Sequence, residues 1–182
     1  MRPQVGNWEK MEMAAMYGLK TTLATLTLLA AVLPAHAQSP VKLSQHTAWG
    51  TYAYDSNQGK VCYVLSVPES KEPTNLDHGD IYFFVSMKPG ENVSYEPQFI
   101  TSYAMKEGSK VQVTIDGKAF SMFVRGKSGW LENAAEEPQL VAAMKAGAKM
   151  KVDAVSGRGN DTHYLFSLSG ITAALNSISS CK

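Results

Sequence analysis

Cysteine is scarce in this chain, with only Cys62 and Cys181 in 182 residues. Cys-x-x-Cys spacing, the mark of many zinc sites and redox-active dithiols, is therefore excluded. Charge of either sign is equally unconcentrated. The 17 basic and 16 acidic side chains form no like-charge block. Neither the basic stripe of nucleic-acid binders nor a polybasic membrane patch is present. Of four histidines, no two share metal-ligand spacing on one helix or strand. Serines are plentiful, yet no Gly-x-Ser-x-Gly elbow occurs. Gly157-Arg158-Gly159 has a fragment of phosphate-loop spacing but no helix after it, so it reads as a hairpin turn. The N-terminal apolar run Thr21–Leu33 is shorter than the about 20 residues that a membrane-spanning helix needs.

That run is nonetheless informative. Lys20 precedes it, and Pro34-Ala35-His36-Ala37 follows. A cationic start, a short apolar stretch and an A-x-A site form the pattern of a secretory signal peptide, with cleavage expected after Ala37. Residues 1–37 are thus assigned to targeting, 38–47 to a polar, flexible leader, and 48–182 to a single domain. Without residues 1–37 the chain loses Arg2, Lys10, Lys20, Glu9 and Glu12, which leaves it neutral overall. Export places both cysteines in an oxidising compartment, where an even count favours a structural bridge, Cys62–Cys181. A pair of free or catalytic thiols is the competing reading.

The exported part reads as a succession of short strands. Ala48–Tyr54 and Lys60–Ser66 are alternating and rich in aromatic or β-branched residues. Ile81–Met87 is continuously apolar, as expected of a central strand buried on both faces. Lys88-Pro89-Gly90 suits a type II turn. Asp116-Gly117 is the preferred two-residue hairpin connection. It predicts the pairs Ile115 with Lys118, Val113 with Phe120, and Val111 with Met122, which bring the apolar sets onto one face. A second hairpin runs from Lys149–Ser156 through residues 157–160 into Asp161–Leu168. Two short helices interrupt the strands. One is capped by Asn133, carries Leu140, Val141 and Met144 as its apolar stripe, and ends at Gly147 in the C′ position. The other is capped by Ser169 and presents Ile171, Ala174, Leu175 and Ile178. Seven or eight strands with so little helix predict an all-β sandwich, with a small β-barrel as the alternative.

The candidate chemistry is sparse. Asp77-His78-Gly79-Asp80 sets two carboxylates beside a histidine, a grouping able to hold a divalent metal or tune a base. The same residues are ordinary turn formers ahead of a strand. His163 shares a face with Leu165, opposite to Tyr164 and Phe166, as a sheet-surface or core residue. Aromatics concentrate in the first half, from Trp49 to Tyr103. Some belong to the core, and others, with Trp130-Leu131-Glu132, are available for a binding surface. Sequence alone leaves these two sets unseparated.

Cys62-Tyr-Val-Leu-Ser-Val-Pro68, Ile81-Tyr-Phe-Phe-Val-Ser86, Lys88-Pro-Gly-Glu91, Ile115-Asp-Gly117, Trp130-Leu-Glu132, Leu140–Gly147, Tyr164–Gly170 and the late Cys181 together resemble the invasion-associated locus B family. The likeness runs from about Trp49 to Cys181. It implies a Gram-negative envelope protein with an immunoglobulin-like β-sandwich, linked in pathogenic members to entry into host cells. Many members carry a further cysteine soon after the first Trp. This chain has none in Trp49–Tyr54, so a single bridge is carried over. The resemblance transfers no catalytic residue. The expectation is a non-enzymatic envelope protein of the periplasm or outer membrane, surface-exposed in one variant of this reading. It would need no cofactor and would bind an envelope or host protein rather than nucleic acid. Peripheral association with the outer membrane is compatible with it. The alternatives are a periplasmic small-molecule carrier with an aromatic-lined cleft between the sheets, and a metal-dependent enzyme centred on His78 with Asp77 and Asp80.

Overall fold

The computed structural model describes residues 39–91 and 93–181. The signal-peptide assignment therefore lies outside the described residues. Eleven strands are present: β1 (Val41–His46), β2 (Trp49–Ser56), β3 (Gly59–Ser66), β4 (Ser70–Glu72), β5 (Ile81–Lys88), β6 (Val93–Thr101), β7 (Lys110–Ile115), β8 (Lys118–Arg125), β9 (Ser128–Leu131), β10 (Lys149–Val155) and β11 (Asp161–Ser167). Two helices accompany them, α1 (Glu137–Ala146) and α2 (Ile171–Ile178). Every strand pair is antiparallel, in the order β1-β2-β3-β5-β6-β9-β8-β7-β10-β11-β4. The ladder ends in two edges, β1 and β4, so it is not a closed barrel. It folds over on itself as an all-β sandwich.

The core lies between the two halves. Phe83 of β5 meets Phe166 of β11 with ring centroids 5.9 Å apart, and Phe99 of β6 meets Tyr164 of β11 at 5.6 Å. The small-molecule-carrier alternative places its aromatic-lined cleft in this same space between the two halves. Helix α2 packs on β2 and β3, and α1 on β6. Trp49 is fully buried and donates its indole N–H to the carbonyl of Ser167 at 2.9 Å, tying β2 to the far half. Cys62 and Cys181 form the disulfide, with Cα atoms 6.0 Å apart. The bridge fastens the chain just after α2 to β3.

The Asp116-Gly117 hairpin forms in the expected register, with Ile115 opposite Lys118, Val113 opposite Phe120 and Val111 opposite Met122. Both turn residues adopt positive φ, 48° and 78°, as a type I′ turn requires. The β10–β11 hairpin also forms. Five local expectations are corrected. Residues 41–46, placed in a flexible leader, form edge strand β1, because they find hydrogen-bond partners along β2. Pro89–Glu91 is a 3-10 turn, and Gly90 is not at positive φ. What glycine supplies there is space, since a Cβ would stand 1.7 Å from the carbonyl oxygen of Gln58. Asn133 caps a 3-10 turn, Ala134–Glu136, that leads into α1. Gly147 ends α1 in an extended conformation, where a side chain would meet Ile115 at 2.5 Å. Helix α2 is not capped by Ser169. It starts from Gly170 at φ 90°, pressed against the His46 carbonyl.

Candidate functional site

The outer face of β2, β3, β5, β6, β9 and β8 carries a band of aromatic side chains. Strand alternation and register build it. Cys62 and Val64 on β3, Ile81, Phe83 and Val85 on β5, and Phe99 on β6 point into the core. Their neighbours must point outward. One straight row of cross-strand partners runs Gly50, Leu65, Phe84, Gln98, Trp130, Phe123. A flanking row pairs Tyr52 with Tyr63, and another pairs Tyr82 with Ile100. Strand β5 was expected to be buried on both faces. Its outward residues are instead only partly covered, and among the described residues no element packs over them.

The rings stack along the sheet. Tyr52 and Tyr63 lie 5.2 Å apart at 11° between planes, and Phe123 and Trp130 lie 5.7 Å apart at 26°. Phe84 joins Tyr63 at 5.5 Å and Tyr82 at 5.8 Å. Gly50 makes room for the Tyr52 ring, since a Cβ there would come within 2.8 Å of it. The hydroxyls of Tyr52, Tyr54, Tyr63 and Tyr82 find no hydrogen-bond partner among the described residues. Burial, then the neighbouring Tyr52 and Tyr54, raise the Tyr63 phenol above its ordinary value, so it stays neutral. Two of the cations bordering the band are closed into pairs, while Arg125 stands exposed on the row of Tyr82, Ile100 and Ser128. Lys88 holds Glu96 at 2.9 Å, and Lys110 holds Glu132 at 3.0 Å. Burial, the largest single influence, pulls the Lys88 ammonium down, but the Glu96 hydrogen bond together with the charges of Glu96 and Glu91 and the neighbouring Tyr54 outweigh it, and the net shift is upward. The Lys110 hydrogen bond holds Glu132 below the usual carboxylate range.

The outer face of the other half is polar. Glu72, His163, Asp153 and Gln112 form its cross-strand row, and His163 bonds Asp153 at 2.6 Å. His163 is thus a sheet-surface residue.

His78 is buried, unlike its neighbours Asp77 and Asp80. Its Nε2 lies 3.0 Å from the carbonyl oxygen of Pro73, and its Nδ1 2.9 Å from the Tyr164 hydroxyl. A carbonyl only accepts, so a neutral ring carries its proton on Nε2 and accepts from Tyr164 at Nδ1. Tyr164 in turn meets the Tyr103 hydroxyl at 2.7 Å, and Tyr103 meets Thr162 at 2.9 Å. Burial, reinforced by Tyr103, drives the Tyr164 phenol strongly upward. Asp77 accepts the Gly79 N–H at 2.9 Å, forming an Asx turn. Both His78 nitrogens are therefore spent inside the protein, and a metal would have to displace one of these bonds. Among the described residues no group of three or more His, Cys, Asp or Glu side chains is placed to hold a metal ion. A cavity of about 540 Å³ opens beside this chain of hydrogen bonds, lined by His78, Tyr103, Thr162, Asn160 and Arg158 among others.

Sequence reasoning singled out Trp130 but missed the row it belongs to. The usable signal was the alternation of Tyr82 and Phe84 against Ile81, Phe83 and Val85. Knowing the order of the strands was also needed to bring Phe84 into line with Trp130.

The family model described as invasion associated locus B protein matches residues 49–179. Among solved structures, the chain is similar to the crystal structure of invasion associated protein b from Bartonella henselae. The TM-score is 0.53 at 14% identity, over 78% of this chain and 96% of that one. No curated protein matches by sequence.

Proposed function

This chain belongs to the invasion associated locus B family, and from that premise we propose that it is an exported, non-enzymatic binding protein of the cell envelope. It acts by holding an envelope or host component on the aromatic face of its first half, and in a pathogen this contact supports entry into host cells. The observation that carries this reading is the outward row Leu65, Phe84, Gln98, Trp130, Phe123 across five neighbouring strands, apolar at four of its five positions, with Phe123 exposed and the others half-buried, where a solvated sheet would place polar residues. Large contiguous exposed apolar patches mark interaction sites. Tyr and Trp are the residues enriched at such sites. Export is supported by the signal-peptide pattern before Ala37. The Cys62–Cys181 bridge suits an oxidising compartment.

The test is retention. Purified wild-type protein and a Phe123→Ala/Trp130→Ala variant are compared for binding to isolated envelopes of the producing bacterium and to host-cell membranes. Both proteins are first checked for the same melting behaviour. The variant is expected to lose most of the retained material. Equal retention of the two proteins sinks the proposal. Protease shaving of intact cells then decides between a periplasmic and a surface location.

A further inference from the structure

Independently of the aromatic face, we propose that the hydrogen-bond chain through His78 is a proton-operated latch: it is complete only when His78 carries an extra proton, and that proton locks Tyr103 in place. The count of hydrogens decides it. The chain has five contacts: the Pro73 carbonyl to His78 (3.0 Å), His78 to Tyr164 (2.9 Å), Tyr164 to Tyr103 (2.7 Å), Tyr103 to Thr162 (2.9 Å) and Thr162 to the Ala154 carbonyl (3.1 Å). Both ends are carbonyl oxygens, which only accept, so each contact needs a hydrogen from within the chain. A neutral imidazole supplies one, and the hydroxyls of Tyr164, Tyr103 and Thr162 supply one each. Four hydrogens then serve five contacts, whichever nitrogen holds the ring hydrogen and whichever way the hydroxyls turn. Burial, reinforced by Tyr103, keeps the Tyr164 phenol from losing its own. An imidazolium supplies the fifth, and every donor then points away from His78, toward Pro73 on one side and Ala154 on the other.

Without the extra proton one contact goes unmade, and it falls at Tyr103. His78, Tyr164 and Thr162 are buried, whereas Tyr103 is half-buried and lines the cavity of about 540 Å³. With Tyr164 donating to Nδ1 and Thr162 holding Ala154, the single Tyr103 hydrogen faces two acceptors, Tyr164 and Thr162. It keeps one and releases the other. Protonation reverses this. Nδ1–H is donated to Tyr164, Tyr164 turns its hydrogen to Tyr103, and Tyr103 gives its own to Thr162. The proton comes from solvent, and no bond between heavy atoms changes. The loop before β5, the segment after β6 and strand β11 are thereby tied together in acid and loosened as pH rises. The charged groups lining the cavities on either side of the ring are Asp77 and Asp80 from its own loop, Lys71 from β4 and Arg158 from the β10–β11 turn. None of them bonds the ring. Asp77 accepts from the Gly79 N–H, and Lys71 donates to the Gly79 carbonyl. Burial works against a charged imidazole, and the completed set of hydrogen bonds works for it.

The ring resonances of His78 and Tyr103 in isotope-labelled protein are followed by NMR from about pH 8 to about pH 5, the interval in which histidine changes charge. His163, on the sheet surface and bonded to Asp153, serves as the internal reference. His78 is expected to become an imidazolium, and the Tyr103 ring signals are expected to shift in the same step. Exchange of the Tyr103 hydroxyl hydrogen with water is expected to slow by about tenfold, as one added hydrogen bond warrants. Tyr103→Phe removes one hydrogen and two contacts, so a neutral ring then leaves three hydrogens for three contacts. In this variant His78 is expected to take up its proton at a clearly lower pH than in the wild type. A His78 that stays neutral down to about pH 5, a Tyr103 that does not respond when His78 charges, or an unchanged His78 titration in Tyr103→Phe each overturns the latch. The wild-type measurements decide by themselves should the variant fail to fold, and none of these outcomes bears on the aromatic face.

Discussion

At the scale of single residues, the glycines separate backbone demands from packing demands. Gly117 sits at φ 78° in open space, whereas Gly170 at φ 90° has the His46 carbonyl oxygen 2.0 Å from where a Cβ would stand. Gly117→Ala is expected to cost about 1 kcal/mol, the penalty of a left-handed conformation. Gly170→Ala is expected to cost clearly more, because the start of α2 must also move. Urea unfolding of the two variants measures both, and equal costs would show that the contact at Gly170 is soft. The tyrosines give a pH prediction. Burial, joined by neighbouring phenols, raises Tyr63 and Tyr164 above the unfolded value, so the folded state holds these protons more tightly. Their contribution is fully present below about pH 10 and is lost as pH rises beyond it. Unfolding free energies measured from pH 8 to 12 should fall from about pH 10 upward, and less so for Tyr63→Phe. The type I′ residues Asp116 and Gly117 could be read from sequence because their chemistry is local. The roles of Gly90 and Gly147 could not, because each serves a chain segment distant in sequence.

At the scale of elements, α2 shows how a short amphipathic helix is kept. Its buried side, Ile171, Ala174, Leu175 and Ile178, covers β2 and β3, and the 3.6-residue period announces that side in the sequence. Eight residues make a marginal helix on their own. The bridge from Cys181 back to Cys62, across 119 residues, holds its far end. A Cys62→Ser/Cys181→Ser variant is expected to lose about 2–5 kcal/mol of stability. In hydrogen exchange, α2 amides should lose protection before those of β5. Unchanged melting would deny the bridge a structural role. Strand β1 is the opposite case. Its short sequence, with Val41 and Leu43 exposed, buries almost nothing, and it is held as a strand by pairing with the edge that β2 offers.

At the scale of the whole molecule, the two faces of one sheet half have opposite duties. Phe83 and Phe84 are adjacent in sequence and of one chemical type. Phe83 is fully buried against Phe166, and Phe84 lies outside among tyrosines. Phe83→Ala is expected to cost about 3–5 kcal/mol, as large-to-small core changes do. The double change Phe123→Ser/Trp130→Ser is expected to alter stability by about 1 kcal/mol or less and to reduce self-association, because it removes exposed apolar surface. Denaturation and light scattering test the pair. Large destabilisation by the outer change would mean that this face is structural rather than available for binding.

By itself the sequence determined whatever depends on near neighbours: strand-forming alternation, the hairpin at Asp116-Gly117, the helix faces, and a pair of cysteines suited to bridging in an exported chain. Its motif order was enough to mark the family. Tertiary structure alone decided the strand order that carries β6 and β9 between β5 and β8, the burial of His78 behind Tyr164 and Pro73, and the alignment of Phe84 with Trp130. The physical reason is the same in each case. Aromatic and histidine side chains suit a core, a hydrogen-bonded interior or an exposed surface, and only the partners brought together by long-range pairing select among these.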